Sequence, residues 1–380
     1  MGEQILARDW TQLHHDVAFG KSQGKIIWQP RIGCWLTDKQ FAGESLPEPY
    51  EGLSLPDIHR ALDCSARIYQ YNACFKRIPD SRERVRHVDR SDGKIEYCIE
   101  TPVGSQTVVL RPTKTSPHPI HEKWEVATEE ELRVAAWRER HCSWEWDQAT
   151  FDAVTEEWRG LGAPIMFMPR MNVQCLYIEK MGVQNGLYAI YEWPAAVEDF
   201  FDALEESHDQ LMDVINASPI DMVNFGENVH AGTLPPPLFE QYHLPACQRR
   251  CDKLHKAGKH VFSHWDGDTK PLLPYAHDTR LDGIEAITPK PQGDVTLDEM
   301  KAALGDDIYV WDGIPAVYFD DIFPEETLAA CAERLIELFA PKLILGISDE
   351  ISSTGDIERV RLVGDIVDRY NATQEARTSA

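Results

Sequence analysis

The residues best placed to do chemistry lie between Lys259 and Asp294. A short apolar run, Val261 and Phe262, ends in His264, Asp266 and Asp268, and a second run, Gly283 to Ile287, carries Glu285 before Pro289 and Gly293 break the chain. On an extended segment, residues two apart point to the same side, so the His264 imidazole and the Asp266 carboxylate can share one divalent cation. The alternative is that Asp266 caps a helix starting near Thr269 while His264 bonds the backbone. The surrounding residues favour the cation. Glu227, His230, Glu285, Asp312 and Glu350 all fall at predicted strand ends, and carboxylates buried close together are costly unless a cation or protons compensate them.

Asn224, Glu227 and His230 form a second group. Glu227 and His230 are candidate metal ligands, or they orient a substrate oxygen as hydrogen-bond partner and acid/base group. A loop around Gly226 with solvated side chains is the plain alternative. Cys247, Cys251 and His255 lie on one face of a predicted helix, where buried cysteines act as small apolar residues more often than as ligands. Arg170 follows the run PIMFMP and is placed to meet an anionic group or a surface carboxylate. Among the eleven tryptophans, Trp28, Trp35, Trp265 and Trp311 fall near the same strand ends, where flat walls would suit a planar substrate, although the core is the expected place for most of them.

The elements that must position these groups alternate regularly. Strand-like runs at Lys25–Ile32, Pro164–Met168, Ile220–Phe225, His260–His264, Gly283–Ile287, Ile308–Trp311 and Leu343–Ile347 are separated by helical patterns, among them 193–215, 245–257, 270–276, 296–304, 325–339 and 357–370. Earlier helices are predicted at 55–71, 125–138 and 146–161. A period of about 30 to 40 residues is that of a βαβ unit. Polar groups just after each apolar run fit the C-terminal mouth of a parallel (β/α)8 TIM barrel, and no strand is followed by the Gly-rich turn of an open dinucleotide-binding sheet. The expected organisation is an N-terminal extension over 1–24, one barrel domain over 25–370, a β-hairpin insertion at about 80–125 turning at Pro102–Ser105, and a frayed tail over 371–380.

The 380 residues carry a formal charge of −25, which disfavours nucleic acid and anionic membrane surfaces as partners. No early apolar stretch reads as a signal peptide, and no run of about 20 apolar residues is long enough to span a bilayer. With nine scattered cysteines, the chain is expected to be cytoplasmic, with reduced thiols.

The runs SHWDGDTKPLL, LDGIEAITPKPQGDVTLDEMKAALGD, IYVWDGIPA and LILGISDEI resemble the C-terminal half of the uroporphyrinogen decarboxylase superfamily, specifically its cobalamin-dependent methyltransferase branch. The resemblance covers residues 160 to 370 well and the remainder in outline. Zinc-containing members of that branch carry His-x-Cys-Gly, with a further Cys after a later strand. Here the first segment reads His264-Trp265-Asp266-Gly267, and Gly346-Ile347-Ser348-Asp349 has no Cys. Replacing thiolates by carboxylates makes a harder site, better matched to an oxygen than to a thiol.

The resemblance therefore implies an enzyme that demethylates a small methylated substrate, most naturally a methoxylated aromatic ether (O-demethylation). The methyl group would pass to the cobalamin of a separate corrinoid protein, since no D-x-H-x-x-G corrinoid motif occurs here. Zinc held by His264, Asp266 and one or two of Glu227, Glu285 and Glu350 would polarise the ether oxygen. Asn224, His230 or Asp312 would position the substrate or protonate the leaving oxygen. Methanol, methylamine or a thiol as donor is an alternative, a homodimer is left open, and a catalytically silent barrel is a third reading. Decarboxylation of a porphyrinogen, the main rival, needs cationic residues, whereas the segment IIWQPRIGCW holds a single Arg and the mouth is expected to be acidic.

Overall fold

The computed structural model describes residues 8–378. The first seven residues of the expected extension and the last two of the expected tail lie outside the described residues.

Strand β1 (Ile27–Gln29) precedes an insertion holding β2 (Phe75–Pro79), β3 (Arg84–Asp89), β4 (Ile95–Thr101), β5 (Gly104–Arg111), β6 (Ile120–Lys123) and β7 (Cys142–Trp146). The main sheet continues with β8 (Ile165–Met168), β9 (Met222–Val229), β10 (His260–Trp265), β11 (Gly283–Glu285), β12 (Tyr309–Pro315) and β13 (Leu343–Ser348). Its order is β1-β13-β12-β11-β10-β9-β8, and every pairing is parallel. All residues of β12 and β13 are buried, as expected of strands covered on both faces.

The α/β class and curled parallel sheet match the expected barrel, but β1 and β8 do not pair, so among the described residues no complete ring of strands forms. Residues 64–68 fill the gap. Ser65 N–H donates to the Trp28 carbonyl at 3.0 Å and Ala66 N–H to the Leu161 carbonyl at 2.7 Å. A Cβ at Gly162 would lie 2.3 Å from the Ala66 carbonyl oxygen, so only glycine allows this approach.

That segment was expected to be helical. The helix instead stops at Leu62, because Asp63 adopts a left-handed conformation (φ 47°) and returns its N–H to Arg60, an αL cap. The expected helix over 270–276 is likewise reduced to a single tight turn, Leu273–Tyr275.

The predicted hairpin is present as β4 and β5, paired from Ile95–Leu110 to Thr101–Gly104, at the centre of a four-stranded antiparallel sheet. Helices form in the described parts of both terminal segments. Helix Trp10–Ala18, capped by Asp9, buries Trp10, His14, Val17 and Ala18. The C-terminal helix runs from Arg359 to Thr378, and Asn371 bonds both the N–H and the carbonyl of Ile26 beside β1. No helix among the described residues is long and apolar enough to cross a membrane.

Candidate functional site

The strand register brings His264 and Glu285 together. They are paired positions on β10 and β11, so their side chains emerge side by side, and His264 Nδ1 lies 2.6 Å from Glu285 Oε2. Asn224, on β9, donates to the same carboxylate at 3.2 Å. From the gap segment, Arg67 places one guanidinium nitrogen on Glu285 and another on Asp312 Oδ1 at 2.6 Å. The Arg67 guanidinium also lies over the Trp311 ring, 4.7 Å from its centroid. Gln29 accepts from Trp311 Nε1 at 3.0 Å and fixes the floor from β1.

Above this floor opens a cavity of about 430 Å3. It is lined by Arg31, Tyr69, Asn72, Phe167, Met168, Pro169, Arg170, Gly226, Asn228, His264, Glu285 and Asp349. Every strand contributing to it does so at its C-terminal end, the end at which barrel enzymes carry their sites. Tyr69 and Phe167 form one wall, with ring centroids 4.5 Å apart. A depression of about 490 Å3 between Arg8 and Glu375 is similar in volume, but no strand end faces it.

The charges on the floor are tightly coupled. Burial alone would lower the His264 pKa, but Glu285 and Asp266 outweigh it and push the value up to about 9. Burial would raise Glu285, yet His264, Arg67 and Arg31 hold it well below the usual carboxylate range. Asp312 goes the other way. Burial raises it to about 7 despite Arg67, and the neighbouring Glu285 charge adds to the rise, so Asp312 is the member of this carboxylate pair that takes up a proton first. Asp266 lies 3.7 Å from His264 Nε2 and accepts from Asn228 at 3.2 Å; burial works against its ionisation, and His264 and Asn228 nonetheless keep its pKa low.

The remaining expected site residues are dispersed. Glu227 is fully buried, accepts the Met171 N–H at 2.9 Å and does not line the cavity; burial raises its pKa to about 8. Glu350 accepts the Cys34 N–H at 2.6 Å and lies 3.6 Å from Arg31. His230 bonds Thr233 at 3.1 Å and does not line the cavity. Cys247 and Cys251 are fully buried, and His255 pairs with Asp282 at 2.8 Å, so the packing reading holds for the cysteines.

The five expected zinc ligands, His264, Asp266, Glu227, Glu285 and Glu350, therefore do not converge. Among the described residues no group of three His, Cys, Asp or Glu is disposed to hold a metal ion. The donors are already committed: His264 Nδ1 to Glu285, and Glu285 to Arg67, His264 and Asn224. Compensation of the buried carboxylates, which had suggested a metal, comes from Arg67 and Arg31. The donor set as arranged does not fit zinc.

Trp28, Trp35, Trp265 and Trp311 are at most 1 % exposed and belong to the core, the place expected for most of them, so the flat wall falls to Tyr69 and Phe167. One further expectation is corrected. The mouth is not simply acidic, because Arg31 and Arg170 line the cavity and Arg67 lies beneath it. Arg67 and Tyr69 were missed because their segment was read as helix over 55–71, and Asn72 lies just beyond it. The only sequence signal was the run CSARIY, whose Cys64, Ala66 and Ile68 alternate in strand fashion.

With the floor described, the comparisons bear on it. Residues 173–309 match the family uroporphyrinogen decarboxylase (URO-D). That stretch resembles uroporphyrinogen decarboxylase. It contains β9, β10 and β11, and so Asn224, His264 and Glu285. Among solved structures, a methyltransferase from Methanosarcina mazei superposes with a TM-score of 0.51 at 12% identity, covering 69% of this chain and 75% of that one. At that identity the likeness is one of fold. No curated protein matches the chain.

Proposed function

We propose that this chain is a methyltransferase that removes the methyl group from the ether oxygen of a small methoxylated aromatic compound and passes it to the corrinoid of a partner protein. The observation that carries this reading is the pairing of a cavity sized for a single substituted ring with a hydrogen-bonded His264–Glu285 pair on its floor. The likenesses to uroporphyrinogen decarboxylase and to a methyltransferase fold support it.

Tyr69 and Phe167, in contact with each other, wall one side of the ring, and the closed floor shields the reacting oxygen from bulk water. Because Nδ1 is committed to Glu285, Nε2 is the His264 nitrogen that meets the substrate oxygen. As the C–O bond breaks, its electron pair stays on oxygen, and the Nε2 proton neutralises the forming phenolate. Glu285 keeps the imidazole oriented and charged for that step, and Arg67 holds Glu285 in place. The partner's corrinoid supplies the nucleophile that accepts the methyl group.

Decarboxylation is the second reading, favoured by Arg31 and Arg170 in the cavity. The volume counts against a porphyrinogen: about 430 Å3 lies in the lower part of the range for small-molecule sites, roughly 300–1,000 Å3, and a four-ring macrocycle with its acid chains needs the upper part. The deciding experiment adds cob(I)alamin to the protein with methoxylated phenols, methanol, methylamines or methyl thiols and follows methylcobalamin in the visible spectrum. Ethers are expected to react. Turnover of an amine or thiol with no ether reacting would reject the assignment, and a porphyrinogen losing carboxylates would replace it.

A further inference from the structure

We propose that the open edge of β3 docks an extended, acidic segment of another protein, which adds to the four-stranded sheet of the insertion as a further strand. This edge lies outside the cavity and does not depend on the methyltransfer reading.

Strand β3 pairs on one side only, with β4, so every second N–H and C=O along its other side has no ladder partner. Arg84, Val85, Arg86 and His87 are all exposed, so no other element covers that side among the described residues. The two faces of the strand differ. Val85 pairs across the ladder with the buried Ile99, and the His87 ring stacks on Tyr97 with centroids 5.1 Å apart, which makes one face apolar and aromatic. The other face carries Arg84 and Arg86.

Charge selects the occupant. In a chain of net charge −25, residues 82–90 hold four arginines. Arg82 pairs with Asp80 at 2.8 Å and Arg90 with Glu96 at 2.9 Å. The carboxylates of the stretch also have partners: Glu83 is held by Arg138 at 2.9 Å, and Asp89 lies 3.2 Å from His87. Arg84 and Arg86 are left without an ion pair or side-chain hydrogen bond among the described residues, although Glu100 stands opposite Arg84 in the register.

Charge on an edge deters unwanted pairing, and here the deterrent has a sign. Two copies of β3 related by a two-fold axis would pair antiparallel with the same face forward. Every register that overlaps most of the strand then sets arginine against arginine: Arg86 against itself, Arg84 against Arg86, or Arg84 against Arg90. A strand that alternates carboxylates with apolar residues meets no such conflict. Its carboxylates fall beside Arg84 and Arg86, its apolar residues beside Val85 and His87, and its backbone completes the open ladder.

The test is fluorescence anisotropy of the full chain at low salt with two labelled peptides, one alternating glutamate and valine and one with a proline at the centre of that pattern. Amide exchange is followed at residues 84–89 alongside. The uninterrupted peptide is expected to saturate the chain in the micromolar range, to bind about tenfold more tightly than the proline peptide, and to slow exchange within β3. The double variant Arg84→Glu with Arg86→Glu should weaken it about tenfold and turn the preference at this edge to a peptide alternating lysine and valine. Where that reversal unfolds the sheet, Arg84→Gln with Arg86→Gln removes the charge alone and should weaken binding about threefold. No saturable binding, unchanged exchange at 84–89, equal affinity for the proline peptide, or an affinity unmoved in the folded variant would overturn the proposal. Tighter binding of a single-stranded RNA oligonucleotide at the same residues would overturn it as well, by assigning the arginines to phosphate.

Discussion

His264 Nδ1 stands 2.6 Å from Glu285 Oε2, and the two residues are register partners on adjacent parallel strands. This pairing fixes the orientation of the imidazole through the backbone ladder and leaves Nε2, 3.7 Å from Asp266 Oδ2, as the ring nitrogen not bonded to Glu285.

Replacing His264 by Asn should therefore remove proton delivery while keeping a polar group of similar reach. Methyl transfer from methoxyphenols is expected to fall by about 10²- to 10⁴-fold, the usual contribution of a positioned general acid. A nitro-substituted methyl ether, whose oxygen leaves readily without a proton, should lose far less. Rates of methylcobalamin formation with the two donors make the comparison, and equal losses would remove His264 from the acid role.

The pH profile carries a second signature. With the His264 pKa at about 9, the imidazolium persists through neutral pH, so the rate should stay level and fall only as pH rises through about 9. Glu285→Gln removes the principal raising influence and should bring the fall to lower pH. The same shift bears on stability: a raised pKa contributes stability that is complete below the unfolded value of 6.5 and is lost as pH rises through about 9.

Acid is expected to unfold the protein for a different reason. His14, His59, His208 and His243 are buried, and burial lowers their pKa values to about 3, 4, 3 and 3. Below 6.5 the unfolded chain binds protons that the folded chain refuses, so stability falls with falling pH until about 4, where His59 begins to charge. Each such histidine contributes up to about 1.4 kcal/mol per pH unit. Urea midpoints measured at about pH 7 and about pH 5 should drop steeply, and His59→Asn should flatten the slope.

Arg67 is a stability determinant as well as part of the floor. Arg67→Leu leaves Glu285 and Asp312 without their shared partner and should cost about 3 to 5 kcal/mol, towards the lower figure because Asp312 can take up a proton. Gly346→Ala strikes the same network from β13, because its Cβ would lie 2.1 Å from Asp312 Oδ1 and 2.8 Å from the Gln29 carbonyl oxygen. Overpacking there should cost about 1 to 3 kcal/mol in urea unfolding and expel Asp312 from Arg67.

The sequence made the strand ends legible because each apolar run stops abruptly at a polar group, as at Phe262–His264 and Trp311–Asp312. Asn224, His264, Glu285 and Asp312 were accordingly expected near one another, and they form the floor. Their counter-charge was not legible. Arg67 follows a helix whose Ile58 and Leu62 set a period that Ile68 happens to extend, and only the left-handed turn at Asp63 interrupts it. Spacing also could not say which way Glu227 points: it sits between Gly226 and Asn228, which line the cavity, and faces the opposite side. Nor could composition separate the core tryptophans from Phe167, since aromatic content is the same in either role.

The gap between β1 and β8 gives Arg67 a mechanical meaning. A segment joined to each neighbour by one backbone amide and by side-chain bonds of Gln29 and Ser65, rather than by a continuous ladder, is the seam of the wall, and the ion pairs of Arg67 fasten that seam from within. Closure of the wall and charge at the floor are thus one property of the molecule. Altering the floor charge to suit a new substrate also loosens the seam, and amide exchange at residues 64–68 would register both changes together.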